Sequence, residues 1–146
     1  MTGDEIFNRI ATSIARQSAM TTIGAELIEA LPGLVVIALP HADHLLQQNS
    51  FVHGGVIGMI ADSAAGYAAL TMMPADKTVL TSEYKINLLA PAIGERFVAE
   101  GRVVRAGKRV FVAMADVFAE TGAARKAIAV LLGTMMVVDK VAGMVD

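Results

Sequence analysis

The chain contains no cysteine and no tryptophan. Without cysteine there are no disulfides, no thiolate metal site and no cysteine nucleophile, a composition that fits the cytosol. Charge is also scarce. Asp, Glu, Lys and Arg make up 18% of the 146 residues, with Lys+Arg 12, Asp+Glu 14 and a net charge of -2. That balance excludes a basic nucleic-acid-binding domain, so no nucleic-acid partner is expected. The opening Met1-Thr2-Gly3-Asp4-Glu5 lacks the basic and apolar regions of a secretory signal, and a cytoplasmic protein is expected. What the chain has in excess is apolar. Hydrophobic residues reach 55%, against a usual ~45–50%, and mean hydropathy is +0.57. The length predicts one domain over residues 1–146. A monomer this apolar would struggle to cover itself with polar surface. The surplus therefore reads as a buried subunit interface or a membrane segment.

The membrane alternative is tested by Val56 to Met73, where Asp62 is the only charged residue. The run is rich in Gly and Ala, carries Asp62 and Ser63 near its middle, and has no aromatic belt or basic flank. It reads as a helix buried in a core, and no membrane partner is expected.

Around it the elements follow from pattern. Thr2 and Glu5 have capping-box spacing, and Ile6, Ile10 and Ile14 recur every fourth residue, predicting an amphipathic helix over about residues 3–18. Between residues 25 and 39, two strand pieces should meet at Pro32-Gly33. A polar loop over 41–52 leads into His53-Gly54-Gly55, and the apolar helix runs from Gly54 to Leu70 or Thr71. Strands are predicted at Thr78–Leu89, Gly94–Arg105, Val110–Ala119 and Ala127–Val138, punctuated by Pro91, Gly107-Lys108 and Thr121-Gly122. Short consecutive connections predict a four-strand antiparallel meander. The class is α+β, a long helix packed on a curved antiparallel sheet. The helix has more apolar circumference than one sheet can hide, so a dimer is expected.

Asp62 is the strongest chemical signal. Burying a lone carboxylate is costly unless it is hydrogen-bonded or paired, and Ala or Leu would pack there without that cost. Its bland alternative is a wet seam or a lysine partner. Gly54 and Gly55 open the helix, where the first amides have no intrahelical acceptor and can hold a developing oxyanion. Alone, this is an ordinary loop-to-helix turn. The combination says more. Gly54 and Asp62 lie eight residues apart, ~12 Å along the axis, whereas a general base and an oxyanion donor must both reach one reacting group. If both act, Asp62 meets Gly54 of a second chain across antiparallel helices.

Weaker candidates surround these. Gln47, or Asn49 beside it, offers a carboxamide to a carbonyl or a water; either is equally a solvated loop residue. Thr81 can hydrogen-bond beside Asp62 or be an ordinary strand threonine. His53 reads better as a brace for its loop than as a substrate contact. Met59 and Tyr67 can line an apolar pocket or fill the core. His41 and His44 lack a third ligand, so no metal site is expected. Six of the 12 positive residues fall between Lys85 and Arg109. Of these, Arg105, Lys108 and Arg109 gather at one turn, a landing site for phosphates or a solvated tip.

Asn49-Ser50-Phe51-Val52-His53-Gly54-Gly55-Val56-Ile57, followed by Ala61-Asp62-Ser63-Ala64-Ala65-Gly66-Tyr67-Ala68, resembles the hotdog-fold thioesterases. The likeness is to the group named after the phenylacetate-pathway thioesterase (PaaI-like). The stretches Thr81–Ala92 and Gly101–Arg109 resemble that group's following strands. The resemblance implies a hotdog fold over the single domain, dimers often paired into tetramers, and hydrolysis of acyl-CoA thioesters without metal or bound cofactor. By position it implies Asp62 as catalytic carboxylate and Gly54 as oxyanion amide from the partner chain. Gly55 completes that substrate-binding turn and His53 supports it. Thr81 falls at a water-orienting hydroxyl, and the basic turn faces the CoA phosphates. The chain departs from the group at Gln47, where asparagine is common; the carboxamide is kept on a side chain one methylene longer. Asp62 is expected to act as general base or as nucleophile. The rival reading is a non-catalytic acyl-CoA binding or sensing module on the same fold. A hotdog dehydratase ranks lower, because the histidine leads a turn rather than forming an acid pair. The acyl group is not legible.

Overall fold

In a computed structural model describing residues 1–146, the capping box forms as its spacing requires. The Thr2 hydroxyl accepts the Glu5 N–H at 3.3 Å and the Glu5 carboxylate accepts the Thr2 N–H at 2.6 Å, which starts α1 (Gly3–Arg16). Ile6, Ile10 and Ile14 are buried. The single helix expected to about residue 18 is instead broken at Gln17, whose backbone is extended (φ -80, ψ 98), and α2 (Ser18–Ile23) follows. The break lets Met20 and Ile23 enter the same core.

β1 (Glu26–Leu31) and β2 (Leu34–Pro40) form the expected hairpin around Pro32-Gly33. The central helix α3 spans Gly54–Leu70, and β3 (Lys77–Leu88), β4 (Arg96–Arg105), β5 (Val110–Thr121) and β6 (Ala124–Asp139) complete one sheet. Its order is β1-β2-β4-β5-β6-β3, and every neighbouring pair is antiparallel.

The predicted four-strand meander holds only for β4, β5 and β6. β3 pairs with β6 at the far edge, and β4 pairs with β2. The connection from Leu89 to Glu95 contains Pro91 and commits its backbone elsewhere. The Leu89 N–H donates to Ile128 O at 2.7 Å, and Ala92 O accepts the Val52 N–H at 3.1 Å. The segment therefore passes the start of α3 instead of turning back as a hairpin.

α3 lies on the concave face of the sheet. Phe97 and Ala99 of β4, Ala113 and Ala115 of β5, and Leu131 and Met135 of β6 alternate inward against it and are buried. Contact between β4 and α3 is close enough to need glycine: a Cβ on Gly101 would lie 2.2 Å from both the Ala64 carbonyl carbon and its oxygen. Beyond the far end of α3, the Arg9 guanidinium donates to Met73 O at 2.7 Å and Lys77 O at 2.9 Å and pairs with Asp146 at 2.9 Å. This cation neutralises the carbonyl end of the helix and ties α1 to it. The wrap is incomplete on one side. Gly55, Val56, Met59, Asp62 and Ser63, spaced along one face of α3, are not fully buried. Next to that face runs β3, with an unpaired outer edge and with Leu80, Tyr84 and Leu88 at 53%, 46% and 55% exposure. No helix is long and apolar enough to cross a membrane.

The close approach at Gly101 gives a direct stability test. Gly101→Ala should cost about 3 kcal/mol or more, because strand and helix backbones must separate. A urea unfolding midpoint equal to wild type would contradict this packing.

Candidate active site

The first turn of α3 is built around His53. Its Nδ1 accepts the Gly55 N–H at 2.8 Å, and its carbonyl accepts the Val56 and Ile57 N–H groups at 2.9 and 3.2 Å. His53 is thus a brace. Of the first four amides of the helix, only that of Gly54 has no partner in the chain. A Cβ on Gly54 would lie 2.6 Å from Leu88 Cδ1, the far end of a side chain that can move aside.

The preceding loop is a tight turn. The Gln47 N–H donates to Phe51 O at 2.8 Å and the Ser50 N–H to Gln47 O at 3.0 Å. The Gln47 side-chain carbonyl accepts the Asn49 N–H. Asn49 therefore acts through its backbone, and its exposed side chain lies outside the clefts described below.

Two turns along α3, Asp62 is half-buried, and its Oδ1 accepts the Thr81 hydroxyl at 2.7 Å. No lysine or arginine pairs with it, so the lysine-partner alternative fails. Burial pushes its carboxyl above the ordinary 3.8, with the Thr81 hydrogen bond pulling the other way. An acid shifted toward neutrality in a cleft is suited to taking a proton.

A β-bulge makes this possible. The register of β3 on β6 shifts between Thr81 and Glu83. Before it, Val79 and Thr81 lie opposite Val137 and Met135; after it, Tyr84, Ile86 and Leu88 lie opposite Gly133, Leu131 and Ala129. The extra residue, Ser82, reverses the alternation, so both halves of β3 face α3.

Asp62 and Gly54 line different clefts. Asp62, Ser63, Gly66, Tyr67, Thr81 and Gln17 line one; Gln47, His53, Gly54, Gly55, Tyr84 and Leu88 line the other, and no residue is common to both. Met59 lies on the open helix face between them and lines neither. Tyr67 is buried, and its hydroxyl is held by Ser13 Oγ at 3.0 Å and Gln17 Nε2 at 2.5 Å. It lines the Asp62 cleft and anchors α1 to α3 there. Arg105, Lys108 and Arg109 cluster at the β4–β5 turn, exposed and without an acidic partner. Gln17, Tyr84 and Leu88 are cleft residues that the sequence reading missed, because nothing local marks a glutamine at a helix break or an apolar residue on an edge strand.

A family model described as the thioesterase superfamily matches residues 49–125. A thioesterase family protein from Silicibacter pomeroyi has the same fold at TM-score 0.90 and 38% identity, over 92% of this chain and 99% of that one. A Saccharolobus solfataricus protein named as a candidate esterase is 34% identical over 90 residues, which is 62% of this chain and 64% of the relative. The 1,4-dihydroxy-2-naphthoyl-CoA hydrolase of Listeria monocytogenes is 29% identical over 87 residues, 60% of this chain and 71% of that protein. The chain has the hotdog fold and belongs to the thioesterase superfamily.

The burial of Asp62 predicts a pH-dependent stability. Its carboxyl holds a proton more tightly folded than unfolded. Its favourable contribution is therefore complete below the ordinary 3.8 and is lost as pH rises through the raised folded value. Asp62→Asn should melt above wild type at about pH 7, with the gap narrowing toward about pH 3. Thr81→Val should raise the Asp62 pKa further, read by carboxyl-carbon NMR; a fall would contradict the assigned hydrogen bond.

Proposed function

We propose that the chain, as a single domain over residues 1–146, is a cytoplasmic acyl-CoA thioesterase acting as a homodimer. The observation that carries the reading is the pairing of two unmet groups on one helix: the Asp62 carboxylate, held by Thr81 alone, and the partnerless Gly54 N–H. Superfamily membership and a CoA hydrolase among the relatives support thioester chemistry at such a pair.

Gly58 lies midway between Gly54 and Asp62. A twofold axis beside it would set two α3 helices antiparallel, with Asp62 of one chain opposite the partner's Gly54. The half-open helix face and the unpaired β3 edge are the surfaces such a dimer would cover. Pairing of dimers into a tetramer follows the family resemblance.

In this site the thioester carbonyl oxygen accepts the Gly54 N–H at the positive end of the helix. Asp62 removes a proton from water as the water oxygen bonds to the carbonyl carbon, and Thr81 holds the carboxylate toward it. The tetrahedral oxyanion collapses and the C–S bond breaks. The CoA thiolate then leaves with the proton that Asp62 had taken, giving free acid and thiol. Asp62 can instead attack the carbonyl itself, breaking the C–S bond and expelling the CoA thiolate to form a mixed anhydride; water then opens it, restoring the Asp62 carboxylate and releasing the free acid and the proton that the thiolate takes. Gln47 offers its amide N–H groups beside Gly54, and Arg105, Lys108 and Arg109 take the CoA phosphates.

Thiol release from a panel of acyl-CoAs tests the reading. Asp62→Asn should lower kcat by ~10²–10⁴. Gly54→Pro removes the N–H at a first helical position whose backbone suits proline and should lower kcat by ~10²–10³, whereas Gly54→Ala, which adds the same Cβ against Leu88 but keeps the N–H, should lose much less. Near-normal turnover in Asp62→Asn would remove the proposed base. Wild type that binds acyl-CoA without releasing thiol would identify a binding module instead.

A further inference from the structure

The loop before α3 is a miniature hairpin. His53 N–H donates to Leu45 O at 2.9 Å, Leu46 bridges Val52 antiparallel, and Gln47 N–H donates to Phe51 O at 2.8 Å. Gln48, Asn49 and Ser50 close it, with the Ser50 N–H on Gln47 O at 3.0 Å. A three-residue connection of this kind ends in a left-handed residue, for which glycine is the natural occupant. Here that residue is Ser50, at φ 64. Positive φ occurs at five positions in the chain, and the other four are glycines. We propose that Ser50 is a positioning residue: its left-handed backbone closes the turn that aims the Gln47 amide N–H groups at the thioester carbonyl. This rests on the thioesterase reading, in which Gln47 donates beside Gly54.

The turn decides which end of the Gln47 side chain is free. A backbone N–H can be met only by oxygen, so the Asn49 N–H takes the Gln47 side-chain carbonyl and leaves the amide nitrogen for the cleft. Gln47 borders that cleft together with Gly54. The hairpin holds the two in register. One arm carries Gln47, and the other ends on His53, which caps α3 directly before Gly54. Both donors are therefore set by one short piece of backbone.

Ser50 is the point at which this arrangement can open. An L residue resists the left-handed conformation because its Cβ crowds the following carbonyl oxygen. It persists where the surrounding bonds over-determine it, and such residues cluster at functional sites. If Ser50 relaxes to negative φ, its N–H leaves Gln47 O, the Asn49 N–H turns with it, and the Gln47 amide loses the bond that aims it. The Ser50 side chain is exposed and borders none of the clefts beside α3. Its influence on the site therefore passes through the backbone and Gln47.

The experiment measures kcat and KM for thiol release from an acyl-CoA that wild type hydrolyses, with a melting curve for each variant. The variants are Ser50→Gly, Ser50→Val, Gln47→Ala and the double variant Gln47→Ala/Ser50→Val. Ser50→Gly relaxes the backbone and should keep kcat within about twofold while melting ~2–4 °C higher. Ser50→Val brings a β-branched side chain to positive φ. It should lower kcat by about tenfold with little change in KM, the sign of a lost transition-state contact. In the Gln47→Ala background the same substitution should change kcat by less than about twofold. Ser50→Ala, with an expected loss of about threefold, carries the comparison if Ser50→Val does not fold. Equal losses in both backgrounds, or wild-type kcat in Ser50→Val, overturn the positioning role and leave the thioesterase reading intact. No thiol release from any acyl-CoA by wild type overturns both.

Discussion

A seventeen-residue helix with small or apolar side chains on nearly every face cannot stand in water, and six antiparallel strands curve around it to remove that face from solvent. The other features depend on that requirement. Strand and helix backbones meet at Gly101, the bulge at Ser82 lets both halves of β3 present one row of side chains to α3, and Arg9 seals the carbonyl end. The wrap stops short along one side, and that side carries Gly55, Met59 and Asp62. A carboxylate in the middle of a core would be neutral and inert, and one on the surface would be an ordinary acid. Asp62 lies between these limits, desolvated enough to be shifted and open enough to meet water.

The features legible in the sequence were those written in rare residues at short range. The capping box of Thr2 and Glu5, the Pro32-Gly33 hairpin, the glycine pair at the head of α3 and the single acid within it are each local statements, and each appears where it was expected. Strand order was not local. Whether β3 pairs with β4 or β6 depends on where the chain between Leu89 and Glu95 spends its hydrogen bonds, and those partners lie near Val52 and Ile128. Two side-chain placements depend on distant residues in the same way. Tyr67 lines the Asp62 cleft while Ser13 and Gln17, 50 or more positions away, hold its hydroxyl. Leu88 gave no signal at all, because an apolar residue near the end of a strand is commonplace until a glycine is seen against it.

His53 and Gly54 divide the labour of one helix end. The imidazole takes the Gly55 amide and the His53 carbonyl takes the next two, so the start of the helix is saturated except at Gly54. Saturating the neighbours fixes the direction of the remaining N–H before any ligand arrives, the preorganisation that makes an oxyanion donor effective. Gln47 is held in the same way by the Asn49 amide. In the proposed enzyme these contacts leave little to rearrange at the helix start on binding.

The central claim is that one site is built from two chains, and mixing inactive chains tests it most directly. Asp62→Asn and Gly54→Pro, refolded together in equal amounts, should form mixed dimers in which one site keeps both groups intact. About a quarter of wild-type thiol release should then return, since half the dimers are mixed and each has one whole site. No recovery, with mixed dimers confirmed by mass, would contradict a shared site and place Asp62 and Gly54 in separate roles within one chain.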